Sequence, residues 1–249
     1  MRYIVGNIKM NQTADETKAY LLSFLPQIKN VNAKIGLCLP YTSLHVAKQI
    51  SEGTGLIIGA QNLHQNEKGP HCGEISAEML KNVGVSLVAI GHSERRAQFK
   101  ENNELVNQKI KRALSCGLKV ALCYGETKSQ RASGKTFEVI KTQLEECLAG
   151  LYENELKNIL FTYEPVWAIS TTRSGTATAK DAEEASAKTR EVIKQLYSEK
   201  ASEGAIILFG GSVSQKNAKE FICAKGISGV FVGGASLDSD GFASICKIR

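Results

Sequence analysis

Four residues of this chain can move protons or hold anions, and each lies at the end of a short apolar run: Asn7, Lys9, His92 and Glu164. Glu164 follows Asn158-Ile159-Leu160-Phe161-Thr162-Tyr163, which reads as a buried strand. Pro165 cannot donate to a ladder, so the strand should stop at Glu164 and leave a carboxylate at its C-terminal tip. Taken alone, a Glu in such a place is more often merely exposed. Asn7-Ile8-Lys9 ends another apolar run, and strand alternation points Asn7 and Lys9 to the same side. A lysine aimed into a closed mouth is costly to desolvate unless an anion meets it; taken alone, Lys9 reads equally well as a surface lysine. His92, in Ile90-Gly91-His92-Ser93-Glu94-Arg95-Arg96, falls between a buried strand and a helix start. There the helix dipole disfavours imidazolium and favours a neutral hydrogen-bond donor, although lone histidines are more often structural. Glu94 can pair with Lys9 or complement the helix N-terminus. Arg95 and Arg96 read as surface or interface charges.

Two glycine pairs add a different chemistry. Gly210-Gly211-Ser212-Val213 and Gly233-Gly234-Ala235-Ser236 each follow an apolar run and lead toward a helix. Backbone N–H groups can close on a phosphate at such places, where no side chain stands in the way. One pair would signify little, since turns use Gly anyway. A third stretch, Val166-Trp167-Ala168 followed by Ser170-Thr171-Thr172-Arg173-Ser174-Gly175-Thr176, sets a bulky anchor before a polar tip, the build of a closing loop. A carboxylate base, a neutral His with a Lys and a phosphate grip together suit proton abstraction beside a carbonyl in a small phosphorylated substrate. Lys9 and His92 would meet the enolate charge.

These groups need a frame. Candidate strands run Tyr3 to Asn7, Lys34 to Leu39, Leu56 to Gln61, Leu87 to Gly91, Leu118 to Cys123, Asn158 to Glu164, Ala205 to Gly210 and Gly229 to Val232. Helical spacing marks Asp15 to Ile28, Asn103 to Leu114, Lys135 to Leu148 and Ala182 to Leu196. Alternating strand and helix implies parallel pairing, because parallel neighbours need a crossover. The fold expected is α/β, a single (β/α)8 barrel over residues 1–249, with the chemistry at the C-terminal strand ends and phosphate after strands seven and eight. An open doubly wound sheet is disfavoured, since G-x-G-x-x-G after the first strand is missing. Residues 61–76 form a long polar segment without an evident helix, the kind that is functional or interfacial.

Composition excludes several classes. The 249 residues are 43% hydrophobic and 22% charged, an ordinary globular balance. No apolar run is long enough for a bilayer, and the N-terminus has no signal-peptide h-region, so no membrane role is expected. The net charge of +6 is mixed along the chain without a basic run or an aromatic-basic motif, so nucleic acid is not an expected partner. Seven scattered cysteines without a CxxC pair point to reduced thiols in a cytoplasm and to no zinc site.

The chain resembles the triosephosphate isomerase family along essentially its whole length. The matching stretches are Asn7-x-Lys9-Met10-Asn11, Gly59-Ala60-Gln61-Asn62, Gly73-Glu74-Ile75-Ser76, Gly91 to Arg96, Cys123-Tyr124-Gly125-Glu126, Tyr163 to Ile169, Gly210 to Val213 and Val232 to Leu237. In this order they are highly specific. The resemblance implies interconversion of dihydroxyacetone phosphate and glyceraldehyde 3-phosphate, with Glu164 as the base, His92 as the neutral electrophile, Lys9 as the fixed positive charge and Asn7 as its neighbour. That pairing of a Glu base with a neutral His is long known for the family, and the spacing alone did not supply it. It implies phosphate on backbone N–H groups near Ser170, Ser212, Gly233 and Gly234, and a structural Cys123 beneath the base. No metal or organic cofactor is implied, and a homodimer through the 62–76 loop is. Departures fall in the closing loop, which is about two residues longer than the family's, at Phe209 where the family has Tyr, at Cys72 where it has Thr, and at Ile8. Related sugar-phosphate isomerases or lyases, and a binding protein that no longer turns over, are the rival readings.

Overall fold

Short apolar runs separated by amphipathic ones leave each strand buried on both faces, and a closed parallel barrel satisfies that demand. The computed structural model describes residues 2–169 and 175–248. The eight strands are β1 (Tyr3–Asn7), β2 (Lys34–Leu39), β3 (Ile57–Ala60), β4 (Leu87–Ile90), β5 (Lys119–Tyr124), β6 (Ile159–Tyr163), β7 (Ile206–Phe209) and β8 (Gly229–Val232). All neighbours pair in parallel, and β8 returns to β1 with Tyr3 opposite Gly229, closing the barrel. The expected strands are all present, β1, β2 and β8 with the expected ends and the other five with ends shifted by one residue; β6 stops at Tyr163, one residue before Glu164.

Helices ring the barrel: α1 (Ala14–Ile28), α2 (Leu44–Ile50), α3 (Ala77–Asn82), α4 (Ser93–Gln98), α5 (Asn103–Ser115), α6 (Lys128–Ala132), α7 (Thr136–Cys147), α8 (Ala179–Leu196), α9 (Glu199–Gly204), α10 (Ala218–Ile222) and α11 (Ser239–Cys246). The four long ones are those whose spacing predicts them. Thr13 opens α1 in a capping box with Glu16, and Thr178 opens α8 in another with Asp181. Between β3 and α3 the described chain has neither helix nor strand.

Two apolar layers sort the strand residues. Ile4, Val88, Ile90, Phe161, Tyr163, Phe209 and Val230 pack with helix residues such as Leu21, Phe24 and Ile110, and so face outward. Tyr3, Val5, Cys38, Leu87, Ala89, Ala121, Cys123, Leu160, Leu208 and Phe231 form a second cluster, with the partly buried Ile57 and Ile206 packed against it, and fill the barrel. Period-two alternation carries the inward set to the C-terminal rim. Two residues beyond Val5 stands Asn7; beyond Leu160 come Thr162 and then Glu164; beyond Leu208, Gly210; beyond Phe231, Gly233. One alternation thus delivers charged and polar groups on one side of the mouth and bare backbone on the other.

Candidate active site

Asn7 is buried at the end of β1, and its Oδ1 accepts the Lys9 amide at 3.0 Å. Lys9 takes a left-handed φ of 54°, which turns the chain over the rim. Gln61, on the inward register of β3, donates from Nε2 to the Lys9 carbonyl at 2.9 Å and to the Cys38 carbonyl at 3.2 Å. Lys9 Nζ reaches Glu94 Oε1 at 2.6 Å. The ammonium is therefore held at the mouth by a half-exposed carboxylate.

His92 caps α4. Gly91 just before it has φ 73°, a conformation that shifts the chain out of strand register and puts His92 rather than its neighbour over the mouth. Nδ1 of His92 accepts the Glu94 amide at 3.2 Å, so the ring hydrogen belongs on Nε2. Nε2 faces Glu164 Oε1 at 3.2 Å, and Glu164 Oε2 accepts the Ser93 amide at 3.1 Å. Glu164 is only 2% exposed. Its carboxylate is parked on two donors, and taking a proton from carbon requires it to leave at least one of them.

Cys123 lies fully buried in the barrel, and its thiol is pushed well above the ordinary range, first by burial and then by the charge of Glu164 and a hydrogen bond to it. It is an inert neutral neighbour of the base. Gly125 is required beside it, because a Cβ there would stand 2.1 Å from the Glu164 carbonyl oxygen. Arg96 departs from the surface or interface role expected of it. Its guanidinium donates to the Gly91 carbonyl at 2.8 Å and to Asn103 Oδ1 at 2.6 Å, beneath His92.

Opposite these groups lie the two glycine-rich turns. Asn7, Lys9, His92 and Glu164 line one cavity of about 470 Å³ together with Gly210 to Ser214, Asn217 and Gly233 to Ala235. This volume suits a small ligand. The Ser212 amide is engaged, donating to the Ala168 carbonyl at 3.0 Å. The Ser170 contact implied by the resemblance lies outside the described residues, as do positions 171–174 of the closing loop. Phe209 is fully buried, stacked on Phe221 at 3.9 Å between ring centroids.

The stretch behind Glu164 is anchored by a group the sequence left without a role. Glu126 is fully buried and accepts from Trp167 Nε1 at 2.7 Å and from the Tyr163 hydroxyl at 3.0 and 3.1 Å. Arg131 lies 4.1 Å from the Trp167 ring centroid and also pairs with Asp181 at the start of α8. The Tyr163 hydroxyl is pushed far up by burial first and by Glu126 second, so it stays a donor. A single Trp with its N–H in need of a buried acceptor was the available signal.

Among the described residues no group of three or more His, Cys, Asp or Glu side chains is placed to hold a metal ion. Nor is any described helix long and apolar enough to cross a membrane.

The geometry has close counterparts. The profile of triosephosphate isomerase matches residues 2–249. The chain belongs to the triosephosphate isomerase family. It is similar to the triosephosphate isomerase of Aquifex aeolicus, at 46% identity over 247 residues and 98% of each chain. It is similar to that of Thermoanaerobacter sp. (strain X514), at 43% over 242 residues and 97% of each. Among solved structures, the triosephosphate isomerase of Bartonella henselae superposes with a TM-score of 0.89 at 35% identity, covering 99% of this chain and 98% of that one. The family accounts for the barrel and for an isomerase built on it.

Proposed function

We propose that this chain interconverts dihydroxyacetone phosphate and D-glyceraldehyde 3-phosphate by proton transfer through an enediolate, as glycolysis and gluconeogenesis require. The observation that carries the reading is the pairing of the Glu164 carboxylate with His92 Nε2 at 3.2 Å, on the wall of a cavity whose far side is glycine-rich backbone. Glu164 takes the proton from the carbon beside the carbonyl and returns it to the neighbouring carbon. His92 donates its Nε2 hydrogen to the oxygen that gains charge and recovers one from the neighbouring substrate hydroxyl, and Lys9 supplies the positive charge beside it. Asn7 sets the Lys9 backbone. Glu94 holds Lys9. The phosphate is taken by backbone N–H groups of Ser212, Gly233 and Gly234, with Ser170 adding another; the Ser212 amide exchanges the Ala168 carbonyl for phosphate. Cys123 supports the base as a neutral packing group.

We further propose that the whole chain acts as one barrel domain, in a cytoplasm, as a homodimer through residues 62–76. Exposure of residues 66–70 and 72–74 in an otherwise ordered loop supports the pairing, and seven free thiols support the compartment. The test of the activity is turnover of glyceraldehyde 3-phosphate by the purified protein beside Glu164→Asp. Fast turnover should fall about a hundredfold or more when the carboxylate retreats by one methylene. A wild-type protein that binds phosphate and turns nothing over would contradict the reading.

A further inference from the structure

The loop after β7 poses a mechanical question. Gly210 and Gly211 carry no side chains to hold their own backbone, and glycine populates many conformations. Yet the segment that carries the phosphate-binding N–H groups must be held at the cavity wall if those groups are to reach the ligand. Something outside the glycines has to hold the Ser212 peptide.

Asn217, at the entry to α10, is placed to do this. Its Oδ1 accepts the Ser214 amide at 2.7 Å and the Ser214 hydroxyl at 3.1 Å, while its Nδ2 donates to the Ser212 carbonyl at 3.0 Å. One side chain therefore grips the chain on both sides of Val213. The amide has only one satisfactory orientation here: turned over, it would set its NH2 against an N–H and its oxygen against a carbonyl. The Ser212 N–H itself donates to the Ala168 carbonyl, the partner it exchanges for phosphate, so the hold that persists when the ligand binds is the one Asn217 supplies. The Ser214 carbonyl in turn accepts the Ala218 amide at 2.9 Å, tying the turn to α10. Asn217 also lines the cavity.

We infer that Asn217 is a positioning residue for the phosphate-binding backbone. It acts by holding the Ser212–Ser214 turn, and contributes to the affinity for the substrate's phosphate group rather than to the proton transfer at Glu164. The inference rests on the proposed triose-phosphate reading of this site.

Asn217→Leu has the size of the native side chain, no charge and neither set of hydrogen bonds. Asn217→Asp keeps the acceptor for Ser214 and loses the donor to Ser212. Both are measured with glyceraldehyde 3-phosphate, with phosphate-free glyceraldehyde, and with inorganic phosphate as competitive inhibitor and as calorimetric ligand. Asn217→Leu should weaken inorganic phosphate about tenfold, the worth of one or two preorganising bonds. It should raise KM more than it lowers kcat, and cost about ten times more on the phosphorylated substrate than on glyceraldehyde. Asn217→Asp, which sets a carboxylate oxygen against the Ser212 carbonyl, should weaken phosphate at least as much. Equal losses on the two substrates would overturn the inference, and so would an unchanged phosphate constant in Asn217→Leu or in Asn217→Asp. An inactive wild type would strike the triose-phosphate reading instead, and calorimetry with phosphate would still decide the role of Asn217.

Discussion

The two sides of the barrel mouth are made of different material. The side formed by β1, β4 and β6 presents ionisable side chains, each pinned by at least one partner: Lys9 on Glu94, His92 on the Glu94 amide, Glu164 on the Ser93 amide. The side formed by β7 and β8 presents backbone, with glycine wherever the inward register reaches the rim. The difference follows from the task. Moving a proton needs a group that can gain and lose one, so a side chain is unavoidable. Holding a dianion needs only fixed N–H groups close together, and any Cβ would push it away. The first side is stiffened by hydrogen bonds to the functional groups themselves. The second is stiffened at one remove, by Asn217, which holds the Ser212 carbonyl and the Ser214 amide.

Substitutions should separate the two sides by kinetic signature. The largest effect is expected at Glu164→Gln, which keeps size and loses basicity; kcat should fall by about a thousandfold or more with little change in KM. Lys9→Met removes the positive charge near both the developing oxyanion and the substrate phosphate, and should cost a few hundredfold in kcat/KM, shared between the two constants. His92→Gln retains a donor in a poorer position and should lower kcat by about a hundredfold. The smallest effect, and the one that bridges the sides, is Gly210→Ala. A Cβ there would stand 2.9 Å from Glu164 Cγ, so a substitution in the backbone half should displace the base and cut kcat about tenfold. A pure KM effect in Gly210→Ala would break the comparison, because it would mean that the two halves do not touch. Steady-state kinetics on each purified variant checks all four.

How legible this was from sequence divides along the same line. Period-two alternation and the Pro165 stop were enough to bring Asn7, Lys9 and Glu164 to the rim, and the junction of a buried strand with a helix start placed His92 there. The eight strands were readable because each is a continuous apolar run, and the long helices because they span several turns. The helices of five to eight residues, from α2 to α11, are too short to show a 3.6-residue period. Arg96, Gln61 and Asn217 escaped for another reason. Each works by bonding a backbone carbonyl, and where a carbonyl points is decided by the folded chain around it. Ser214-x-x-Asn217 has the spacing of a capped turn, which was the one available hint. Glu126 escaped because two of its partners, Tyr163 and Trp167, lie some forty residues further along the chain and meet it only in the barrel.

The most direct test of the central claim is turnover of glyceraldehyde 3-phosphate in D2O, followed by NMR. Wild-type protein should form dihydroxyacetone phosphate and place deuterium on the carbon that receives the proton, and Glu164→Gln should do neither at a comparable rate. Formation of product at an undiminished rate in Glu164→Gln, or no product from a wild-type protein that binds phosphate, would contradict the account.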